Sequence, residues 1–144
     1  MSVTINGSGQ VPVQVVSMTT TTPTTTSSMS WSATALTLSI TPQSTTSKIL
    51  ILVNTGFQSA ISGQPQITVF RGATNLGGGS QSCFVSSYNG GGGDWRPASI
   101  VYLDSPSTTA STTYTVNLNS QVGSVTMAPA NLLSTLTLLE ISGS

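Results

Sequence analysis

The stretch Lys48-Ile49-Leu50-Ile51-Leu52-Val53-Asn54 decides the fold of this chain. It places five consecutive aliphatic side chains between a charged residue and an amide. A short apolar run bounded in this way is typical of a central strand that is covered on both faces. The run is far shorter than the ~20 apolar residues that a membrane-spanning helix requires. We therefore interpret residues 48–54 as a central strand.

Further strand signals recur along the chain, separated by clusters of Gly, Pro, Asn and Ser, which is typical of a sandwich or barrel. The sequence predicts strands over residues 11–18, 29–33, 36–40, 48–54, 67–71, 83–88, 99–104, 113–119, 125–127 and 135–141. No segment keeps a helical period, and the connections are too short for parallel crossovers. The predicted fold is all-β, an antiparallel two-sheet β-sandwich of the jelly-roll type.

The length of 144 residues predicts one domain. We place the jelly roll at residues 11–144 and interpret residues 1–10 as an N-terminal arm outside its core. The Thr-rich segment 19–28 is compatible with a flexible linker and equally with an edge strand interrupted at Pro23. The Gly tracts at 77–79 and 90–93 predict loops.

Charged residues are so few that they exclude whole classes of function. The cations are Lys48, Arg71 and Arg96, the anions are Asp94, Asp104 and Glu140, and there is no His. Acid–base, nucleophilic and metal chemistry need ionisable groups gathered at one place, so we expect no enzyme, no metal site and no cofactor. Three cations are also too few to replace phosphate counterions, which argues against a nucleic-acid partner.

The remaining composition concerns association and compartment. A single thiol, Cys83, forms no intrachain disulfide, and we expect it to be a small buried hydrophobe. The N-terminus shows no signal-peptide pattern, and no apolar run predicts a membrane partner. A net charge of zero favours association with further copies or with a scaffold.

Several segments, taken in order, resemble a known group of proteins. They are VQVVS at 13–17, LTLSITP at 36–42, SKILILV at 47–53, YLDSP at 102–106, TTYTV at 112–116 and STLTLLEI at 134–141. The series resembles small jelly-roll modules of tailed-phage virion proteins, often from marine and cyanobacterial phages. Those modules occur as tail-fibre tips and as head decoration or cement proteins. The resemblance covers residues 13–142 and implies a homotrimer on the virus particle.

The resemblance leaves two functions open. The first is a capsid decoration protein that binds the assembled head through the major capsid protein or other virion proteins. The alternative is a receptor-binding tail-fibre or tailspike tip that recognises host carbohydrate. A tail fibre ordinarily has a stalk and an anchor before its tip, and an arm of ten residues provides neither. The first function is therefore expected, with the protein on the capsid surface.

The docking element is expected in the N-terminal segment, residues 1–28. The candidate residues are Val3, Ile5, Val11, Val13 and Val15, which are strand-prone and apolar. An exposed strand-prone segment is an aggregation hazard unless a partner pairs with it. The alternative is that residues 11–18 form the first strand of the sandwich and only the arm is free.

One loop combines an aromatic ring with polar side chains. Its candidate ligand-binding residues are Tyr88, Asn89, Asp94, Trp95 and Arg96, a set that suits a sugar. The competing interpretation is that Trp95 folds back to cap the sandwich, with Asp94 and Arg96 as solvated loop charges.

Two predictions concern single charges. Lys48 and Glu140 lie on the two strands expected to be central, which allows a structural ion pair. The alternative is that both are separately solvated at strand ends. Asp104, before Ser105 and Pro106, is expected to accept hydrogen bonds from local backbone N–H groups in a turn.

Overall fold

The computed structural model describes residues 12–59, 63–88 and 93–142. Its elements are β1 (Pro12–Thr20), β2 (Thr24–Thr26), β3 (Ser32–Ile40), β4 (Lys48–Ser59), β5 (Pro65–Arg71), β6 (Thr74–Asn75), β7 (Val85–Ser86), β8 (Trp95–Asp104), β9 (Thr112–Ser120), β10 (Val125–Met127), a 3-10 turn (Pro129–Asn131) and β11 (Ser134–Ile141). No α-helix occurs in these ranges.

The strands form two antiparallel sheets. Sheet A has the order β1-β11-β4-β8, and β10 continues the β11 side of β4 and pairs in turn with β2. Sheet B has the order β3-β9-β5, with β6 and β7 each pairing with β5. The first strand thus pairs with the last, β3 with β9, and β4 with β8. This nested pairing is that of a rolled-up hairpin, so the predicted jelly-roll sandwich is confirmed.

The core lies between the sheets and follows from the period-2 alternation of the strands. Along β4 every second side chain is buried, and along β11 buried and partly exposed residues alternate. Its apolar members include Leu36, Ile40, Ile49, Ile51, Val53, Phe57, Ile67, Val69, Ile100, Tyr114, Val116, Leu118, Leu136 and Leu138. Leu136 and Leu138 share the inner face with Glu140.

Several predicted strands change their bounds. One strand, β3, contains the strand predicted at 36–40 and the last two residues of the one predicted at 29–33, and residues 29–31 precede it. Its register shifts between Ala33 and Thr37. This irregularity breaks the alternation that sequence reading depends on. In the Thr-rich segment, Thr24–Thr26 is an edge strand, so that alternative applies. The described part of 11–18 lies within β1, which pairs with β11 as the first strand of the sandwich.

Asp104 ties the two sheets together, and its interpretation as a turn residue is wrong. Its carboxylate is 5% exposed and accepts two hydrogen bonds from Arg71 Nη1, at 2.8 and 2.9 Å. It also accepts one from the Tyr114 hydroxyl at 2.7 Å. Burial raises the pKa of Tyr114, and the hydrogen bond to Asp104 raises it further. Sheet A, through β8, is thereby joined to β5 and β9 of sheet B.

Glu140 and Lys48 are not brought together. Glu140 is fully buried and accepts from Gln14 Nε2 at 2.6 Å and from the Gln43 N–H at 2.7 Å. Lys48 instead donates to Ser105 Oγ at 3.0 Å. In the register Glu140 pairs with Ile49 while Lys48 pairs with Ile141, so the two side chains point to opposite faces. The expected ion pair is therefore not formed.

Hydrogen bonds determine the ionisation of Glu140. Burial alone would raise the pKa of this carboxyl. The hydrogen bonds from Ser47, Gln14 and the backbone of Gln43 and Ser44 outweigh it and hold the pKa below its usual value. Glu140 is thus an ionised group that fastens β1 and the 41–47 connection to β11.

Candidate binding surface

The outer side of sheet A carries a continuous apolar surface. The antiparallel register aligns Val15, Leu139, Leu50 and Leu103 in one row across β1, β11, β4 and β8. The next row on this side holds Leu52 and Val101 beside a hydroxyl pair. We name these side chains the apolar face: Val15, Leu50, Leu52, Val101, Leu103 and Leu139.

Exposure is greatest at the two margins of the apolar face. Val101 and Leu103 on β8 are 72% and 47% exposed, and Val15 on β1 is 56% exposed. The central residues Leu50, Leu52 and Leu139 are partly exposed. β8 is also the outermost strand on its side of sheet A within the described residues, so its free backbone edge adjoins these side chains. A long apolar edge strand is a surface that proteins ordinarily cover.

Two pairs of polar side chains on the same side of the sheet are hydrogen-bonded to each other. Ser17 Oγ and Thr137 Oγ1 lie 2.8 Å apart. Farther along, Ser99 Oγ donates to Asn54 Oδ1 at 3.1 Å. These groups have partners within the sheet, so covering them with another surface leaves few unmet hydrogen bonds.

Beyond these polar pairs a groove of about 360 Å³ opens, which we name the Trp95 groove. It is lined by Asn54, Thr55, Gly56, Trp95, Arg96, Pro97, Leu132 and Leu133. Leu132 packs over Gly56, where an added Cβ would lie 3.1 Å from Leu132 Cδ1. The missing side chain of Gly56 therefore gives the groove its floor.

The predicted ligand loop contributes to this groove only in part. Trp95 begins β8 and is 51% exposed, so it lines the groove and does not cap the sandwich. Arg96 Nη1 donates to Ser87 Oγ at 2.8 Å, and Arg96 Nη2 lies 3.6 Å from Asp94 Oδ2. Tyr88 is exposed and does not line the groove. Asn89 lies outside the described residues.

The predicted docking residues divide in the same way. Val13 and Val15 lie on β1, and Val15 belongs to the apolar face. Val3, Ile5 and Val11 lie outside the described residues. Sequence reasoning missed Leu50 as a surface residue because the run at 48–54 is interpreted as covered on both faces. It missed Leu103 and Leu139 because they join Leu50 only through the pairing of distant strands. A signal was available in the sequence. Both alternating sets of β4 side chains are aliphatic, and in a two-sheet sandwich only one of those sets can face the core.

The described residues contain no group of three or more His, Cys, Asp or Glu placed to hold a metal ion. Cys83 is partly exposed and not the fully buried residue expected, and burial raises the pKa of its thiol.

In the described ranges, no helix has the length and apolarity needed to span a membrane.

Comparison with known proteins gives little more. No family model and no curated protein matches the chain. Among solved structures, a chain of infectious bursal disease virus, Gx strain, is similar with a TM-score of 0.36 and 12% identity. The match covers 99% of this chain and 41% of the viral chain, so this protein spans about two fifths of that chain's length. A likeness at this level carries no argument about function.

Proposed function

We propose that this protein is a structural protein of a virus particle, specifically a decoration protein that binds the assembled head of a tailed phage as a homotrimer. The observation that carries the proposal is the apolar face on a small sandwich with only six charged side chains. Such a surface suits permanent association, since large exposed apolar patches mark interaction sites. The resemblance to phage virion modules supports the choice of particle.

The action of such a protein is mechanical. A protein that binds the assembled shell but not its free subunits stabilises the shell by mass action, by about 2.7 kcal/mol per site at a hundredfold excess over Kd. With so few charges, apolar contacts and main-chain hydrogen bonds supply the binding energy. We assign docking to residues 1–11, which precede β1 and include Val3, Ile5 and Val11. Strand addition to an edge of the major capsid protein would use these residues without needing charge.

The proposal is tested by locating the protein in purified virions. We expect a copy number that scales with the number of capsid subunits, and labelled protein distributed over the head. A copy number matching the few fibres of a tail, with label at the tail end, would contradict the proposal.

A binding experiment tests the docking segment. We expect deletion of residues 1–10 to abolish co-sedimentation with shells that lack the protein, while the circular dichroism spectrum stays unchanged. The matched control replaces Thr21 and Thr22 by Ser, which alters an exposed polar part of the chain outside the strands and is expected to leave binding intact. Unchanged affinity after the deletion would place docking on the sandwich itself.

The Trp95 groove favours a second candidate, a tail-tip module that binds host carbohydrate. An exposed indole offers a flat apolar surface, and Asn54 and Arg96 lie beside it as hydrogen-bonding groups. Under this candidate, titration with host surface glycans gives saturable binding that Trp95→Ala abolishes and Tyr88→Ala retains. Under the decoration proposal, the wild-type protein and both variants bind no glycans.

A further inference from the structure

We propose that the apolar face is the surface through which copies of this chain meet, so that its occupant is a second copy of the same protein. The inference deepens the proposed function, because it rests on the proposed homotrimer and names the surface that forms it.

The first argument is the missing layer over β4. Ile49, Ile51 and Val53 point into the sandwich, whereas Leu50 and Leu52 point out of it and stay partly exposed. Strands that are aliphatic on both sides are ordinarily buried on both sides. The described chain supplies a layer on the inner side only, so the outer layer comes from another molecule.

The second argument is size. The outer side of sheet A is four strands wide, because β10 and β2 take the place of β11 and β1 beside residues 57–59 of β4. Four strands at about 4.8 Å spacing and twelve β4 residues at about 3.3 Å each give this side a footprint of about 750 Å², of which the apolar face is the part beside residues 50–52. The whole side matches the roughly 800 Å² that each partner buries in a stable interface, so it is large enough for specific association.

The third argument is charge. The rows that contain Val15, Leu50, Leu52 and Val101 carry no charged side chain. Lys48 lies at the rim and donates to Ser105. Copies of this face that meet around the threefold axis of a trimer bury no ion, so no copy bears the desolvation cost that charged partners would. A second copy is also present as soon as the chain is made, before any shell exists.

The N-terminal segment of the chain is a poorer occupant. Residues 1–11 could supply one added strand, which covers about 4.8 Å of a face that is about 19 Å wide. Its β-branched aliphatic residues, Val3, Ile5 and Val11, are too few for the six side chains of the apolar face. A sheet face of another copy has the required width.

The test introduces one carboxylate on each outer side of the sandwich. Val101→Asp places it on the apolar face, on edge strand β8, and Thr37→Asp places it on edge strand β3 of sheet B. Both positions are exposed in a single chain and both parent residues are β-branched, so the two variants are matched for folding. Analytical ultracentrifugation at micromolar concentration measures assembly, and circular dichroism checks the fold.

We expect wild type and Thr37→Asp to be multimers and Val101→Asp to be a folded monomer. The self-dissociation constant of Val101→Asp should be roughly a hundredfold or more above that of wild type, because assembly would bury an unpaired carboxylate. Should Val101→Asp fail to fold, Val101→Ser makes the same test without a charge and should weaken assembly while Thr37→Ser does not.

Three results would overturn the inference. They are a monomeric wild type, a Val101→Asp protein that assembles like wild type, and dissociation caused only by deletion of residues 1–11. Shell binding is measured separately on the Val101→Asp protein. A monomer that still binds shells supports this inference and leaves the decoration role intact, whereas a wild-type multimer that binds no shell contradicts only the proposed function.

Discussion

The two sheets share one interior but finish their outer sides differently. On sheet B the exposed part of the outer side carries hydroxyl pairs, Thr37 with Thr115 at 2.9 Å and Ser39 with Thr113 at 2.7 Å between oxygens. We name these four residues the hydroxyl face. On sheet A the corresponding positions form the apolar face.

Sheet B also covers the rest of its outer side with its own chain. Thr68 is fully buried there and donates to Asn75 Oδ1 at 2.6 Å, and Asn75 Nδ2 donates to the Ser82 carbonyl at 2.8 Å. Gln121 donates to Gln66 at 3.1 Å. The loop after β6 thus lies over polar side chains, whereas in the described ranges Leu50 and Leu52 of sheet A stay partly exposed.

The difference teaches that the jelly roll itself does not determine where the protein binds. The same strand alternation produces a side of sheet B whose polar groups largely bond to one another, apart from Asn117 Oδ1 and Asn119 Oδ1, and a side of sheet A that the described residues leave without a second layer. The residue types at the outward positions determine which kind of side each sheet has, so these positions carry the information about binding.

The largest expected effect concerns the interior that both faces share. Arg71→Met removes the cation beside Asp104 and leaves a carboxylate that is 5% exposed with Tyr114 as its remaining side-chain partner. We expect a loss of about 3 kcal/mol in unfolding free energy, at the lower end for a broken buried pair because Arg71 is itself partly exposed. Urea denaturation measures this loss.

The matched control for that experiment is Arg96→Met. Arg96 lies 3.6 Å from an exposed Asp94, and such a surface pair contributes less than about 1 kcal/mol. Equal losses in the two variants would mean that Asp104 does not hold the sheets together, and the two faces could not be treated as sides of one rigid body.

Much of the fold could be predicted from the sequence, and the reasons for the failures are physical. Period-2 alternation identified β9 and β11 because their side chains alternate between core and outer side, whereas a continuous aliphatic run identified β4. It failed at β3, where the register shift interrupts the alternation, and at β7, which has two residues where the sequence predicted six.

The candidate site was harder to predict because it depends on pairing between distant strands. Leu50 lies beside Leu139 and Leu103 only through the register of three strands, which no local pattern encodes. Asp104 likewise preceded a Ser-Pro turn signal, yet its partners Arg71 and Tyr114 come from the opposite sheet. The surroundings predicted for these aliphatic and charged residues came from their neighbours in sequence. Their actual surroundings come from strands that are distant in sequence.

A reciprocal exchange of the two faces has the next largest expected effect. Leu50→Thr with Leu139→Thr gives the apolar face a hydroxyl pair like those of sheet B. Loss of two partly buried leucines at the interface should cost about 3 kcal/mol, a roughly hundredfold weaker self-association. Sedimentation at several concentrations measures it.

The reverse exchange is the control. Thr37→Val with Thr115→Val makes the hydroxyl face more apolar, and we expect native assembly to persist and solubility to fall, since new apolar surface becomes exposed. Weaker self-association from this pair, with none from the leucine pair, would reverse the assignment of the two faces.

Acid should act on sheet A before sheet B. The pKa of Glu140 is lower in the folded chain than its usual value of 4.5, so its stabilisation is complete above that pH and is lost as pH falls through the folded pKa. Gln14, its partner, lies on β1 next to Val15. Hydrogen exchange at falling pH should therefore show β1 amides opening before those of β3.

The variant that isolates this effect is Glu140→Gln. At neutral pH its unfolding free energy should fall by about 1–3 kcal/mol. The carboxylate oxygens accept hydrogen bonds at this site, and the NH₂ group of glutamine would instead face one of the donors. Its difference from wild type should shrink below pH 4.5, while Asp94→Asn, at an exposed carboxylate, follows wild type throughout. A constant difference across that range would show that ionisation of Glu140 does not stabilise β1.

The smallest expected effect is that of salt on assembly. Screening weakens interactions between exposed charges, with a Debye length that falls from about 10 Å at 0.1 M to about 3 Å at 1 M. The apolar face carries no charge that screening could weaken, and removal of apolar surface from water persists in concentrated salt. We therefore expect the self-dissociation constant, and the attachment of the protein to intact shells, to change by less than about threefold between these salt concentrations, which is under 1 kcal/mol.

Release of the protein from intact shells at about 1 M NaCl would show that ion pairs carry the contact. The search for the interface would then move from the apolar face to the ends of the sandwich, where Lys48, Asp94 and Arg96 lie.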